Sequence, residues 1–346
     1  MSGPAPRITI NDVAARAGVS KGAVSMAFND RPGVSRATRE RIFQVARELG
    51  WAPHRTARSL SGRRAGIVGL VICRPARLLG LEPFYMEFVS GIESVLTERA
   101  HALLLRLVRD LDEEVAVYEE WWRGRTIGGG ILVDFQQEDP RIPALRALGL
   151  PAVAVGHPSL TGGFPSVWTD DATAAADAVR YLAALGHRRI ARVGGPAGLG
   201  HSAIRARAFG ATMAELGLDG RRQVATGFAG EEGARATRGL LMARDRPTAI
   251  VYDNDIMAVA GAAVAAEMGL AVPDDVSLLA WDDSQLCRLT HPPLSAMSHD
   301  VHRFGQEVAR ALFEVIEGAW TGALQVPTPS LTPRGSTGPP RPGRGG

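Results

Sequence analysis

From residue 67 to residue 282, short aliphatic runs alternate with longer stretches of helical spacing. The runs are IVGLVI (67–72), ALLLRLV (102–108), GGILV (129–133), PAVAV (151–155), RIARVGG (189–195), AIVYD (249–253) and VSLLAWD (276–282). Between them lie FYMEFVSGIESVLTER (84–99), DATAAADAVRYLAALG (171–186) and DIMAVAGAAVAAEMG (255–269). A strand followed by a helix and another strand builds a parallel sheet with helices on its faces, so this body is expected to be α/β. Such sheets bind ligands beyond the carboxyl ends of their strands, which makes the residues just after each run the ones to watch.

The first 50 residues follow a different rule. Thr9 with Asp12 makes a capping-box-like start, and Val13, Ala14 and Ala17 mark the inward face of a first short helix. Gly18 stops it, Ser20 caps a second, and Ala23, Val24 and Ala27 turn that one inward. After the turn signal NDRPG (29–33), Ser35 caps a third helix whose Thr38, Ile42, Val45, Ala46 and Leu49 keep one stripe up to Gly50. Small residues at 14, 17 and 23 let the first two helices cross closely. This predicts a small all-α helix-turn-helix unit over 1–50, with Lys21, Gly22, Ser25 and Met26 displayed outward. GVSKG (18–22) matches the G-x-S-x-G elbow of serine hydrolases, but a helix rather than a strand precedes it, so the match is accidental.

Charge separates the same two regions. Residues 1–64 hold 12 Lys+Arg against 4 Asp+Glu, a balance of +8, within a chain of net charge +3. A basic unit on an acidic body points to a polyanion partner for that unit. Residues 51–64, beginning WAPHRTARSLSG, place Ala57 and Leu60 on one face among Arg55, Arg58, Arg63 and Arg64. The segment is too short to be a stable lone helix. It reads either as a basic linker or as a hinge that becomes helical only on DNA.

Catalysis finds little support. GGPAGLG (194–200) is not G-x-G-x-x-G, and no lysine follows Lys21, which removes a P-loop. The histidines form no HExxH pattern, and Cys73 and Cys287 stand far apart without metal spacing. Neither a catalytic set, a metal nor a cofactor is expected. The start MSGPAPRITIND has no secretory pattern, and no run is long enough to span a membrane, so a cytoplasmic protein is expected.

DVAARAGVSKGAVSMAFN, RPGVSRATRERI, ELGWAPHRTARSL and GIVGLVI together resemble the LacI/GalR family of bacterial transcription regulators, over about residues 8–325. The resemblance implies a second helix lying in the major groove, with base reading by Lys21, Gly22 and Met26. It assigns phosphate contacts to Thr9, Ser20, Ser25, Asn29, Ser35 and Thr38 and hinge contacts to Arg55, Ala57 and Leu60, with Leu60 as a minor-groove wedge. Gly22 and Met26 stand where the family has longer polar side chains. Lys21 is thus the one clear donor to a guanine, and DNA shape and the hinge must carry more of the specificity.

EPFYMEFVSGIE, ALGHRRIARVGGP, YDNDIMAVA and AWDDS followed by HPPLSAM resemble the effector domain that the family shares with periplasmic sugar-binding proteins. This implies an α/β two-subdomain fold over 65–325, with an N-subdomain at about 65–167 plus 297–325 and a C-subdomain at about 168–296. Ligand would lie in the cleft between them. Arg207, Asn254 and Asp282 fall on effector-contacting positions, and Arg74, Phe84 and Trp281 are candidates for the apolar faces or rim. Asp255 is expected to cap its helix, and His157 and His299 to be structural. The Pro-, Gly- and Arg-rich stretch 326–346 is expected to be a disordered tail.

The expected function is a ligand-responsive repressor of sugar uptake or catabolism genes. It would bind a palindromic operator in double-stranded DNA as a homodimer, with a sugar or derivative as effector and no membrane contact. An activator, or a regulator answering to purines or nucleosides, is the alternative. A transport-type binding protein or an enzyme ranks below both.

Overall fold

A computed structural model describes residues 8–28, 31–51, 66–75, 80 and 82–341. The headpiece has three helices: α1 (Ile10–Ala17), α2 (Lys21–Phe28) and α3 (Arg36–Glu48). Gly18, in the left-handed region at φ 63°, turns the chain between α1 and α2, a conformation that costs glycine nothing. Val13, Ala14, Ala17, Val24, Ala27, Ile42, Val45 and Ala46 form the buried core. Phe28 closes one side of it, with its ring edge-on to Phe43 at 4.8 Å and to Trp51 at 5.3 Å.

Two sheets follow. The first lobe contains β1 (Ile67–Ile72), α4 (Pro83–Glu98), β2 (Ala102–Leu107), α5 (Leu111–Arg123), β3 (Gly129–Leu132), α6 (Arg141–Ala147), β4 (Ala152–Val155) and β5 (Ser166–Trp168). The second contains α7 (Asp171–Ala184), β6 (Ile190–Gly194), α8 (Gly200–Glu215), β7 (Gln223–Ala225), α9 (Gly230–Met242), β8 (Ala249–Tyr252), α10 (Asp255–Glu267), β9 (Ser277–Trp281), α11 (Gln285–Leu289) and β10 (Ser295–Ser298). The chain then returns to the first lobe as α12 (Val301–Glu317) and β11 (Ala323–Gln325), and to the second as β12 (Ser330–Thr332). Strand order is β11-β5-β4-β3-β1-β2 in one sheet and β12-β10-β9-β8-β6-β7 in the other. All pairings are parallel except β10 with β12.

In the first lobe α12 packs on α4 so closely that a Cβ on Gly91 would collide with the His302 carbonyl, and one on Gly305 with the Phe88 carbonyl. Phe88, Ile92, Leu70, Ile131, Val308 and Leu312 fill the space beneath. Three strands of chain pass between the lobes, at 169–170, 299–300 and 326–329.

The end of the chain departs from the expected disordered tail. Residues 326–341 are ordered, and only 342–346 lie outside the described residues. β12 runs antiparallel to β10, pairing Met297 with Leu331. Beyond it Ser336 is fully buried, donating to the Leu278 carbonyl at 2.6 Å and accepting from Ser295 N–H at 2.8 Å. His187 reaches the Gly338 carbonyl at 2.9 Å. Val326 and Leu331 anchor the start of this segment on the two lobes' cores, and beyond β12 polar bonds fasten it, so a composition poor in aliphatic residues did not announce it. With β10 ending at Ser298, the passage back to the first lobe falls at 299–300 rather than at 297.

Candidate functional site

In the headpiece the polar residues divide between holding the helices and facing outward. The Asp12 carboxylate accepts from both the N–H and the hydroxyl of Thr9, each at 2.7 Å, and these bonds hold it below the usual carboxylate range. Ser20 accepts from Ala23 N–H at 3.1 Å, so GVSKG is a helix cap and not a nucleophile. Ser35 accepts from Thr38 N–H at 3.2 Å, and the two hydroxyls are 2.8 Å apart. Lys21, Gly22 and Ser25 are exposed on α2, while Met26 is half-buried with its sulfur packed toward Gly33. Asn29 and the hinge residues Arg55, Ala57 and Leu60 lie outside the described residues.

The second site is a cleft between the lobes, holding about 950 Å³ of empty space including the part open to solvent. Its polar residues follow strands: Arg74 after β1, Asp134 after β3, His157 after β4, Asn254 after β8, Asp282 after β9 and His299 after β10. This is the placement the strand–helix alternation predicts.

Arg74 dominates the first-lobe wall. Its Nε and Nη2 donate to the two oxygens of Asp134 at 2.7 and 3.0 Å, and Nη1 donates to Glu82 at 3.1 and 3.3 Å. The rings of Tyr85 and Phe228 lie 5.1 and 4.8 Å from the guanidinium carbon. Burial alone would raise the Asp134 carboxyl, but Arg74 outweighs it and holds the group well below the usual carboxylate range. Tyr85 adds a hydrogen bond to Asp134 at 2.7 Å. Asp134 sits in the left-handed region at φ 55°, and Arg141 holds it there by donating to the Val133 and Asp134 carbonyls at 3.2 Å each. Arg141 is itself buried, clamped by Asp139 and by Glu114 at 2.6 Å.

On the second-lobe wall, Arg205 donates to Asp171 at 3.0 Å and to the Asp253 carbonyl at 3.1 Å. Its guanidinium lies 3.9 Å over the Trp281 ring. Asp282 has φ 61°, and its carboxyl group makes no hydrogen bond among the described residues. The nearest base is His299, whose Nδ1 is 3.9 Å away, buried and without a hydrogen-bond partner. Burial, only partly offset by Arg205, pushes the Asp282 carboxyl well above its ordinary value. Burial, with Arg205 nearby, drives His201 and His299 down to about 4, so both are neutral at pH 7.

Of the six expected effector residues, Arg74, Phe84, Asn254 and Asp282 line the cleft, and Arg207 and Trp281 do not. Arg207 is exposed and donates to Gln137 at 3.0 Å. Residues two apart on a helix point about 200° apart, so Arg205 takes the inward place that the sequence reading gave to Arg207. Trp281 is 1% exposed and touches the site only through Arg205. Asn254 lines the cleft, yet its amide is committed: Oδ1 caps α10 through Met257 N–H at 2.9 Å, and Nδ2 donates to the Phe228 carbonyl at 3.1 Å and to Glu82 at 3.4 Å. The cap of α10 is therefore Asn254, not Asp255, whose carboxyl is raised by burial to about 6. His157 and His299, expected to be structural, both face the cavity. Sequence reading missed Glu82, Asp134, Arg205 and Phe228. Asp134 was within reach, one residue past the 129–133 run.

A basic helix-turn-helix unit joined to two parallel-sheet lobes around a cleft of this kind defines a ligand-responsive DNA-binding transcriptional regulator. Residues 9–54 match the family described as bacterial regulatory proteins, lacI family, and residues 179–337 match the periplasmic binding protein-like domain. The chain is 31% identical to the HTH-type transcriptional regulator CelR of Thermobifida fusca over 327 residues, 92% of this chain and 95% of that protein. This chain belongs to the LacI family. A structure of a CelR–cellobiose complex superposes with TM-score 0.73 at 30% identity, covering 95% of this chain and all of the other. The lac repressor dimer bound to operator and the anti-inducer ONPF superposes with TM-score 0.84 at 24% identity, covering 96% and 100%, a likeness of fold. The expected fold class and regulatory function are borne out by these relations. No helix among the described residues is long and apolar enough to cross a membrane.

Proposed function

We propose that this protein is a cytoplasmic repressor of sugar uptake or catabolism genes, binding a palindromic operator as a homodimer and answering to a sugar or sugar derivative in the cleft. The observation that carries the effector half is the pair of polar groups without hydrogen-bond partners among the described residues, the Asp282 carboxyl and the buried His299 Nδ1, facing a cavity walled by Phe84, Trp168 and Phe228. Polar groups without partners are costly once a ligand shuts out water, and a ligand rich in hydroxyl groups, which both donate and accept, supplies those partners while its C–H faces pack on the rings. That the CelR structure is described as a cellobiose complex agrees with this.

For the DNA half, Lys21 reads a guanine from the exposed face of α2, Gly22 lets the helix approach, and Met26 offers apolar contact. Thr9, Ser20, Ser25, Asn29, Ser35 and Thr38 set the register on phosphates, and Arg55, Ala57 and Leu60 act in the hinge. Effector in the cleft favours one placement of the two lobes, and the lobes set the spacing of paired hinges. Operator affinity should fall steeply as salt rises, because a headpiece of +8 on each of two subunits displaces counterions from DNA. A log-affinity against log-salt plot with a slope near zero for a palindromic site would remove this assignment.

A further inference from the structure

Resting on the sugar-effector reading above, we infer that the cleft admits only effectors without negative charge, and that Glu82 and Asp134 enforce this by occupying Arg74. Among the described residues the lining holds two guanidinium groups, Arg74 and Arg205, against the carboxyl groups of Glu82, Asp134, Asp171, Asp253 and Asp282. Each guanidinium is already paired with a carboxylate. Arg74 spends Nε, Nη1 and Nη2 on Asp134 and Glu82. Arg205 spends its own on Asp171 and the Asp253 carbonyl, with one face covered by Trp281. His201 and His299 add no charge, since both are neutral at pH 7.

What the cleft leaves open is polar groups without partners. Asp282 has no donor among the described residues, and His299 Nδ1 is buried without one. Burial, reinforced by Asp255, Glu82 and Asp171 and only partly offset by Arg205, already disfavours the negative charge of Asp282 itself. A phosphate ester would bring a further charge of about −1.5 to −2 into the same space. It would meet carboxyl groups and ring faces, where the hydroxyls of a neutral polyol, which both donate and accept, meet polar groups that lack partners. Among the described residues a phosphorylated or acidic sugar finds no guanidinium that is not already paired with a carboxylate.

Glu82 is the residue through which this selection can be changed. It takes both bonds of Arg74 Nη1 and also receives Asn254 from the other lobe, so an amide in its place keeps the size and gives up the charge. The experiment is a calorimetric and thermal-shift comparison of the full chain with cellobiose, maltose and glucose, each beside its 6-phosphate. The expected result is binding of at least one neutral sugar, with its ester roughly a hundredfold weaker or undetectable. In Glu82→Gln, and in Asp134→Asn where it folds, the ester should gain roughly tenfold or more relative to its parent sugar, the worth of one freed charge-assisted hydrogen bond. An ester that binds wild type as tightly as its parent overturns the inference and leaves the sugar reading standing. Failure of every sugar and every ester to bind overturns the sugar reading and this inference with it.

Discussion

The two lobes repeat one strand order, and each clamps an arginine with the aspartate that follows its β3 or β8 strand, yet the two pairs do different work. In the second lobe Arg192 lies inside β6 and donates through Nε to Asp253 at 2.9 Å and through Nη2 to the other oxygen, while also reaching the Ser202 carbonyl at 3.0 Å. In the first lobe Arg74 lies two residues beyond β1, and the matching bond to Asp134 sits in the cleft wall. A shift along the strand moves the arginine from beneath the site, where of that pair only Asp253 reaches the cleft, into the cleft wall itself. Arg74 there carries a second carboxylate, Glu82, which Arg192 lacks. The lesson is that an ion pair's chemistry is shared by both lobes, while its position relative to the strand ends decides whether a ligand meets it.

Stability should separate the pairs most strongly. Asp253→Ala strands a guanidinium whose side chain is 6% exposed, and the loss of one partner of a buried pair typically costs about 3–5 kcal/mol. Asp134→Ala leaves Arg74 still paired to Glu82, so its cost in urea unfolding should be clearly smaller. Equal losses would dissolve the contrast between brace and cleft wall.

A smaller effect comes from acid. The folded protein holds His201 and His299 at about 4, below the 6.5 of a free imidazole, so the unfolded chain binds more protons between those values. Their contribution to stability is complete above pH 6.5 and is lost as pH falls toward 4. His299→Gln should flatten this part of the melting-temperature profile relative to wild type. A profile of unchanged steepness would show that His299 is not held neutral at the crossover between the lobes.

The headpiece and the strand–helix alternation were open to reading because they rest on local spacing: a cap, a stripe of small residues, an aliphatic run. The alternation directed attention to the residues after the strands, where Arg74 and Asp282 lie, while the cleft itself and the place of Asp282 in it came with the family resemblance and Asp134 was passed over. The rest needed three dimensions. β5, β7, β11 and β12 have three residues each, too few to show a period, and Gln223–Ala225 has no aliphatic run to betray it. The final segment is held by Ser336 and His187, whose partners Leu278, Ser295 and Gly338 lie far away in sequence. Arg205 and Arg207 differ only in helical phase, which a pair of arginines with one residue between them does not reveal. Glu82 could not be singled out, because its role depends on Arg74 and on Asn254 from the opposite lobe.

Ligand-responsive regulation requires coupling between cleft and headpiece. Operator affinity should be measured by titration without sugar and with a saturating neutral sugar whose binding has been established by calorimetry, in wild type and in Asp282→Ala. Coupling free energies between such sites typically change affinity about 5- to 150-fold, so a change of that size is expected in wild type and its loss in Asp282→Ala. Identical operator affinity in wild type with and without a bound sugar would contradict the claim that the cleft governs DNA binding.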